Sequence, residues 1–274
     1  MSVVLGLVAS ARRWGNSELL VRQALQGARA EGASVRMIRL TDLRLESCTG
    51  CMRCVIGSKP CPLGDDMSWL IAAIQDADAL VLASPTYFLG PAAVIKLVLD
   101  RLLMVTGRLQ DDLPPIQPAV TLAVAGLQDW RGVTLPYLNA LVTTLGYQPI
   151  ESISAFAPGP GEVLLDDKLM DLVFRAGHRL GRGDLERSPA DLNVCPVCRC
   201  DAFVLSDSQA TCPICGQKAT VEQNGEAVTL RFDSEGGVSQ RWTPEGMRAH
   251  MTDWVMATGP RYLAHRHEIR SLSL

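Results

Sequence analysis

Residues 3–17, VVLGLVASARRWGNS, decide the fold. The first seven of them, as far as Ala9, are apolar, and such a run is typical of a strand buried on both faces of a parallel sheet. Polar residues follow at once and lead into a segment of helical period. A buried strand, a polar turn and a helix make one βα unit, so we expect further units to complete a layered sheet.

The same alternation continues to about residue 183. Short apolar runs predict four more strands, at 35–40, 79–83, 119–125 and 150–155. Apolar residues at helical spacing predict helices at about 17–30, 65–76, 91–106, 134–145 and 166–180. Residues 1–183 are therefore predicted to form an α/β domain with a doubly wound, five-stranded parallel sheet.

Composition narrows the class of protein. The chain has 274 residues and a net charge of −3, which argues against a nucleic-acid binder or a protein of anionic membrane surfaces. Its first arginines follow the apolar run, unlike those of a signal peptide, and no stretch approaches the roughly 18 apolar residues of a membrane span. We therefore expect a cytoplasmic protein whose nine cysteines stay reduced and serve chemistry.

A second module is predicted at residues 184–243. Two CxxC pairs lie thirteen residues apart, and turn sequences at Asn224 and Gly225 and at 236–237 predict small β-hairpins. The spacing favours a zinc ribbon with a structural Zn²⁺, and a mononuclear, rubredoxin-like iron is the rival. Its four ligands would be Cys195, Cys198, Cys212 and Cys215. Cys200 is interpreted as a bystander.

Residues 244–274 are predicted to form a helical tail that serves packing or oligomerisation. Met247, Met251, Trp254 and Val255 share one face of a predicted helix. The Gly259 and Pro260 pair is expected to end that helix before a second short one.

The polar turn after the first strand is a candidate phosphate site. Ser10, Arg12, Asn16 and Ser17 surround the predicted helix N-terminus, where free N–H groups and a partial positive charge attract anions. The turn lacks the GxGxxG pattern, which disfavours a dinucleotide site. An ordinary polar βα turn is the alternative.

A compact cysteine cluster follows the second strand. Cys48, Cys51, Cys54 and Cys61 lie within residues 48–61, and closely spaced thiols of this kind can hold a [4Fe–4S] cluster. Arg53 and Lys59 would offset part of its negative charge. Zinc or free thiols are the alternatives.

After the third strand, Tyr87 and Phe88 could wall a flat aromatic ligand or simply anchor the next helix. Together, the motifs SxRxxxNS at 10–17 and SPTYFxGPxxxxKxxxDR at 84–101 resemble those of the flavodoxin-like, NAD(P)H-dependent FMN reductases. The cysteine loop, followed by Asp65, Asp66 and Met67, narrows the resemblance to the iron–sulfur flavoproteins.

The resemblance implies a role for each loop. The first would hold the FMN phosphate through Ser10, Arg12, Asn16 and Ser17, and the loop after the fourth strand, with Ala125, Gly126 and Leu127, would complete the pocket. Against the isoalloxazine would lie Pro85, Thr86, Tyr87 and Phe88. It also implies a homodimer or homotetramer.

The expected function is that of an FMN-dependent oxidoreductase that couples flavin and cluster electron transfer without a protein acid or base, and the resemblance implies NAD(P)H as its donor. Its partners would be small-molecule or protein electron donors and acceptors. One alternative is a non-catalytic carrier of the flavodoxin and ferredoxin type. A redox-sensing protein that binds through its ribbon is the other, and the ribbon's few basic residues argue against nucleic acid as its target.

Overall fold

The computed structural model describes residues 2–56, 59–106, 115–189, 192–232 and 240–271. Its main sheet has the spatial order β2-β1-β3-β5-β6 with all neighbours parallel, and β4 pairs antiparallel with the end of β3. This is the flavodoxin-like order, so the predicted parallel sheet is confirmed, with a two-residue strand added. The strands are β1 (Val3–Val8), β2 (Ser34–Arg39), β3 (Ala79–Tyr87), β4 (Gly90–Pro91), β5 (Gln117–Ala125) and β6 (Tyr147–Phe156).

Helices cover both faces of this sheet. The predicted helix at 91–106 is divided in two, because the amide of Leu102 donates to the carbonyl of Leu99, three residues back, and the chain turns there. The helices are α1 (Asn16–Ala30), α2 (Arg53–Ile56), α3 (Met67–Gln75), α4 (Ala93–Arg101), α5 (Leu103–Thr106), α6 (Thr134–Thr144) and α7 (Asp167–Gly181).

The sheet separates two apolar layers. Leu5 and Leu7 of β1 face the layer with α3, α4 and α6, whereas Val4 and Val8 face the layer with α1 and α7. This alternation is the period of two that a strand buried on both sides requires. Because the five parallel strands point their carboxyl ends to the same edge, the loops after β1, β3 and β5 gather there.

The C-terminal module is a four-stranded antiparallel sheet of order β10-β9-β8-β7. The turn predicted at Asn224 and Gly225 lies one residue later: Asn224 ends β9 opposite Ala227, and Gly225 and Glu226 join β9 to β10, with Gly225 in the left-handed backbone. The predicted turn at 236–237 lies outside the described residues. The strands are β7 (Val204–Ser206), β8 (Gln209–Thr211), β9 (Lys218–Asn224) and β10 (Ala227–Phe232).

The tail differs from its prediction in two respects. After α8 (Pro244–Ala249), the chain forms a π-helical turn (His250–Met256) and then α9 (Ala257–Ser271), which contains Gly259 and Pro260. The prediction that Gly259 and Pro260 end the helix is therefore wrong. In a π-helical turn, the Val255 carbonyl would pair with the N–H of residue 260, which proline lacks. Here that carbonyl accepts from the Thr258 hydroxyl instead.

The predicted apolar face is also only partly correct. Met247 and Met251 are buried, but Trp254 is exposed, because the wider π-helical turn changes the angle between successive side chains. Among the described helices, none combines the length and the apolar character needed to cross a bilayer.

Helices α1 and α7 approach so closely that their contact requires glycine. A Cβ on Gly177 would lie 1.8 Å from the carbonyl oxygen of Ala24, and one on Gly27 would lie 2.1 Å from that of Phe174. Atoms cannot share this space, so the two backbones would have to separate.

We expect Gly177→Ala to lower the free energy of unfolding by about 1–3 kcal/mol, the usual cost of overpacking. Urea denaturation followed by circular dichroism measures the change. Gly259→Ala is the matched control, because it also places alanine in a helix but its Cβ meets no atom within 4 Å. Equal stability of the two variants would contradict this packing.

Candidate functional site

The loop between β1 and α1 curls around Ser10. The buried Ser10 hydroxyl accepts from the amide of Arg12 at 3.2 Å, and the exposed side chains of Arg12 and Arg13 flank the turn. α1 begins at Asn16, and Ser17 is buried in its first turn. The N-terminus of a fifteen-residue helix therefore opens beside two arginines, an arrangement that suits a phosphate.

Asn16 connects this loop to the one that follows β6. Its Nδ2 donates to the carbonyls of Ala157 and Gly159, at 3.0 and 2.8 Å, and its Oδ1 accepts from the Gly161 amide at 2.8 Å. These three bonds occupy the whole amide group. The structure thus places Asn16 where it bonds the loop after β1 to the loop after β6, and these bonds fix the shape of the first loop.

A buried ion pair makes hydrogen bonds to the backbone of the same loop. Glu18 and Arg39 are both buried and paired, Glu18 accepts from the Trp14 amide at 3.0 Å, and Arg39 Nη2 donates to the Ser10 carbonyl at 3.1 Å. Burial raises the pKa of Glu18, but the Trp14 amide and the guanidiniums of Arg22 and Arg39 outweigh it, so the pKa lies below its usual value. Glu18 is the third residue of α1, where an acidic side chain often accepts from a backbone N–H just before the helix. Its role could therefore have been recognised from the sequence.

The aromatic residues after the third strand extend beyond the sheet. β3 continues to Tyr87, so part of the predicted loop is strand, and the buried Ser84 hydroxyl accepts from the Ala92 amide at 3.0 Å. Thr86 and Thr134 are joined by their hydroxyls at 2.8 Å. Tyr87 and Phe88 are exposed, and Phe88 has a left-handed backbone, which turns the chain back toward β4.

The loop after β5 packs against this turn. The Val133 amide donates to the Leu89 carbonyl at 2.8 Å, and a Cβ on Gly132 would lie 2.0 Å from that same oxygen. Ala125 is buried, Gly126 and Leu127 are exposed, and the carbonyl of Ala125 accepts from the Ala157 amide at 2.9 Å.

The three predicted loops therefore meet at one edge of the sheet. Asn16 joins the first loop to the loop after β6, where the Ala157 amide in turn bonds to Ala125 at the end of β5. Leu89 joins the second loop to the third. The edge is cationic near Arg12 and apolar elsewhere, with exposed side chains of Trp14, Tyr87, Phe88, Leu127 and Trp130. A ligand with a phosphate at one end and a flat aromatic ring at the other fits this distribution.

The cysteine loop lies before α3. Cys48 and Cys51 are exposed, and Cys54 and Cys61 are half-buried. Burial raises the pKa of Cys54, and the thiols of Cys61, Cys51 and Cys48 raise it further. The amide of Arg53 and the hydroxyl of Thr49 instead lower the pKa of Cys51.

These sulfurs are more widely spaced than the ligands of a single ion. Among the described residues, only the ribbon cysteines bring three or more ligand atoms within 4.8 Å of one another. Four thiolates around a cubane lie at its separate corners, so the wider spacing fits a cluster better than one zinc ion.

A buried arginine that the sequence reasoning missed lies against this loop. Arg101, at the end of α4, pairs through both terminal nitrogens with Asp65, and its Nη2 also donates to Cys61 Sγ at 3.4 Å. Burial raises the pKa of Asp65, but Arg101 and the amides of Glu46 and Met67 outweigh it and hold the pKa below its usual value. Arg101 ends the SPTYFxGPxxxxKxxxDR pattern, which was the available signal.

The second cysteine set is preformed for a metal. Cys195, Cys198, Cys212 and Cys215 are buried, with 3.5 Å between Cys195 and Cys215 Sγ and 3.4 Å between Cys198 and Cys212 Sγ. A tetrahedron with Zn–S bonds of about 2.3 Å has sulfurs about 3.8 Å apart, so the cage accepts one metal ion. Buried Cys200 lies outside this group, with its Sγ 3.2 Å from the Ala202 carbonyl.

The ribbon is fastened to the sheet domain. Asn139 of α6 donates to the carbonyl of Arg199 at 3.1 Å, and the buried Arg199 side chain donates to the Ser188 carbonyl at 2.7 Å. The Trp242 indole donates to the Ile214 carbonyl at 3.2 Å and packs against both cores. Both metal-binding turns are thus connected to the rest of the fold.

Known proteins are similar to parts of this chain or to nearly all of it. An iron-sulfur flavoprotein of Methanocaldococcus jannaschii is 40% identical over 98 residues, which are 36% of this chain and 50% of that protein. The chain thus spans about half the length of this relative. A flavone synthase of Aspergillus candidus is 24% identical over 273 residues, covering 87% of this chain and 84% of the relative.

A solved structure extends the likeness to the whole fold. A flavone reductase superposes with a TM-score of 0.75 at 21% identity, covering 99% of this chain and 98% of that one. The model of the NADPH-dependent FMN reductase family matches residues 2–157, which contain all three loops and the cysteine loop. The chain belongs to the NADPH-dependent FMN reductase family.

Proposed function

We propose that this chain is an FMN-dependent oxidoreductase that couples a flavin to a [4Fe–4S] cluster and takes its electrons from a nicotinamide. The observation that carries the proposal is the meeting of three loops at the carboxyl edge, with a cationic helix N-terminus at one end and exposed aromatic side chains at the other. When bound, FMN would supply two-electron chemistry at its ring, and the cluster would supply single-electron transfer.

The chain's own residues would bind and orient. Arg12 and the amides of the first turn of α1 would hold the phosphate, and Ser10 shapes the loop from which they project. Residues 85–88 and 125–127 would cover the ring, because both segments lie at the same edge and expose apolar surface. No side chain is required to move a proton.

The cluster would be held by Cys48, Cys51, Cys54 and Cys61. Two observations support this assignment: the four free cysteines lie in the one loop that precedes α3, and an iron-sulfur flavoprotein is among the relatives. In the ribbon, we propose a structural zinc ion, because its four sulfurs are buried within a closed cage that leaves no open position.

The acceptor would be a flat, conjugated molecule. Exposed Tyr87, Phe88 and Trp130 offer stacking surface at this edge. A curated relative and a solved structure that align over 87% and 99% of the chain are named for flavone chemistry. Self-association into a homodimer or homotetramer remains a prediction, which light scattering would check.

Steady-state oxidation of NADH or NADPH, with a quinone, a flavone, free FMN or O₂ as acceptor, tests the activity. We expect turnover well above that of an equal concentration of free FMN. Turnover no faster than free FMN, by protein with full cofactor content, would favour the electron carrier instead.

Cofactor content provides a second test. Protein purified anaerobically should hold one FMN, one zinc and about four cluster irons per chain, with a broad visible band. Cys54→Ser should lose the cluster iron and keep FMN and zinc, whereas Cys200→Ser, the matched control, should keep all three. Fewer than about two irons per wild-type chain would exclude the cluster.

The Asn16 bridge predicts a loss of affinity for FMN. Asn16→Ala removes three hydrogen bonds between the first loop and the loop after β6, and a loss of about 1–3 kcal/mol corresponds to roughly 5- to 150-fold weaker binding. Quenching of flavin fluorescence on titration into the apoprotein measures the Kd. The control is Gln23→Ala, which removes a bond to the Met170 carbonyl from the same helix, away from the loops. A similar Kd for both variants would contradict the bridge.

A further inference from the structure

Arg101 is a buried cation with an unusual set of partners. Its side chain and that of Asp65 are each 1% exposed, and the pair forms two parallel contacts. The guanidinium also donates to the Glu46 carbonyl at 3.0 Å and to Cys61 Sγ at 3.4 Å. One buried ion pair is thereby in direct contact with a cysteine of the cluster loop.

Such a pair is expensive to bury, and stability alone does not explain it. Desolvation of two charges costs several kcal/mol, and apolar residues of similar volume often serve equally well. A thiol is a weak hydrogen-bond acceptor, whereas a thiolate attracts a guanidinium strongly. The attraction between Arg101 and Cys61 is therefore strongest when the sulfur carries a negative charge, as the sulfur of a metal ligand does.

We propose that Arg101, oriented by Asp65, is a positioning residue that raises the reduction potential of the iron–sulfur cluster. The inference rests on the cluster in the proposed function. Reduction adds one electron to the cluster, breaks no bond to Cys61 and makes the site one unit more negative. A buried cation and an N–H donor on a ligating sulfur stabilise this reduced form more than the oxidised form.

Asp65 acts in the opposite direction on the same equilibrium. Its carboxylate orients the guanidinium but also places a negative charge near the cluster, in surroundings that screen charge poorly. Removing the charge on Asp65 should therefore raise the potential, and removing that on Arg101 should lower it. A purely structural role would not produce opposite shifts.

Redox titration of the anaerobic holoprotein, with iron measured per chain, tests the proposal. We expect Arg101→Gln to shift the reduction equilibrium about tenfold toward the oxidised form, which is about 59 mV for one electron. Asp65→Asn should shift it toward the reduced form. Lys96→Gln is the matched control, because it removes an exposed positive charge from the same helix as Arg101 and should have a much smaller effect.

The outcomes separate this inference from the proposed function. A wild-type chain without cluster iron would overturn both. A loaded wild type in which Arg101→Gln shifts no more than Lys96→Gln, or in which the Arg101 and Asp65 variants shift alike, would overturn the inference alone. If Arg101→Gln loses its iron, Arg101→Lys replaces it: the ammonium keeps the charge but loses the planar fork that reaches Asp65 and Cys61 together, so a smaller shift in the same direction is expected. Loss of iron from Arg101→Gln, Arg101→Lys and Asp65→Asn alike would assign the pair a structural role and overturn the inference.

Discussion

The contact between α1 and α7 determines what can happen at the carboxyl edge of the sheet. Gly27 and Gly177 allow the two backbones to touch, which fixes the axis of α1 against the sheet. The N-terminus of α1 then has one position, and Asn16 uses it to hold the loop that leads from β6 toward α7. The contact between α1 and α7 and the Asn16 bonds therefore lie at the two ends of one rigid arrangement, and the proposed phosphate site depends on both.

Two buried ion pairs occupy comparable places in this fold. Glu18 and Arg39 lie under the first loop, and Arg101 and Asp65 lie under the cysteine loop. Each arginine makes a further contact that the pair alone does not require, to the Ser10 carbonyl in one case and to Cys61 in the other. Buried charges of this kind contribute little net stability, but they allow a single arrangement of the backbone above them.

Much of this architecture follows from local patterns in the sequence. The five parallel strands, the first and last helices of the sheet domain and the ribbon cage were all predictable, because hydrophobic period and CxxC spacing report on neighbours close in sequence. Boundaries were less accurate: β3 extends to Tyr87, because its pairing with β4 depends on a turn that periodicity does not report. Pro260 failed as a breaker, because a π-helical turn precedes it.

The loops that form the site were predictable, but the hydrogen bonds and ion pairs that connect them were not. Asn16 resembled a ligand of the phosphate, whereas its partners lie more than 140 residues away in sequence, where no spacing rule reaches. The role of Arg101 could not be predicted for the same reason, because its partners Asp65 and Cys61 are distant in sequence. The family and the three loops are established, and the cluster, the nicotinamide and the acceptor are the proposed part.

Trp242 has a consequence for the lifetime of the protein in a cell. Its indole bonds to the second metal-binding turn of the ribbon and packs against the main core. A ribbon without its metal would loosen that turn, and the indole would lose its partner at a surface shared with the sheet domain. On the proposal that the ribbon binds zinc, scarcity of that metal would increase exposure of the C-terminal module to proteases, so the abundance of the protein would follow the zinc supply.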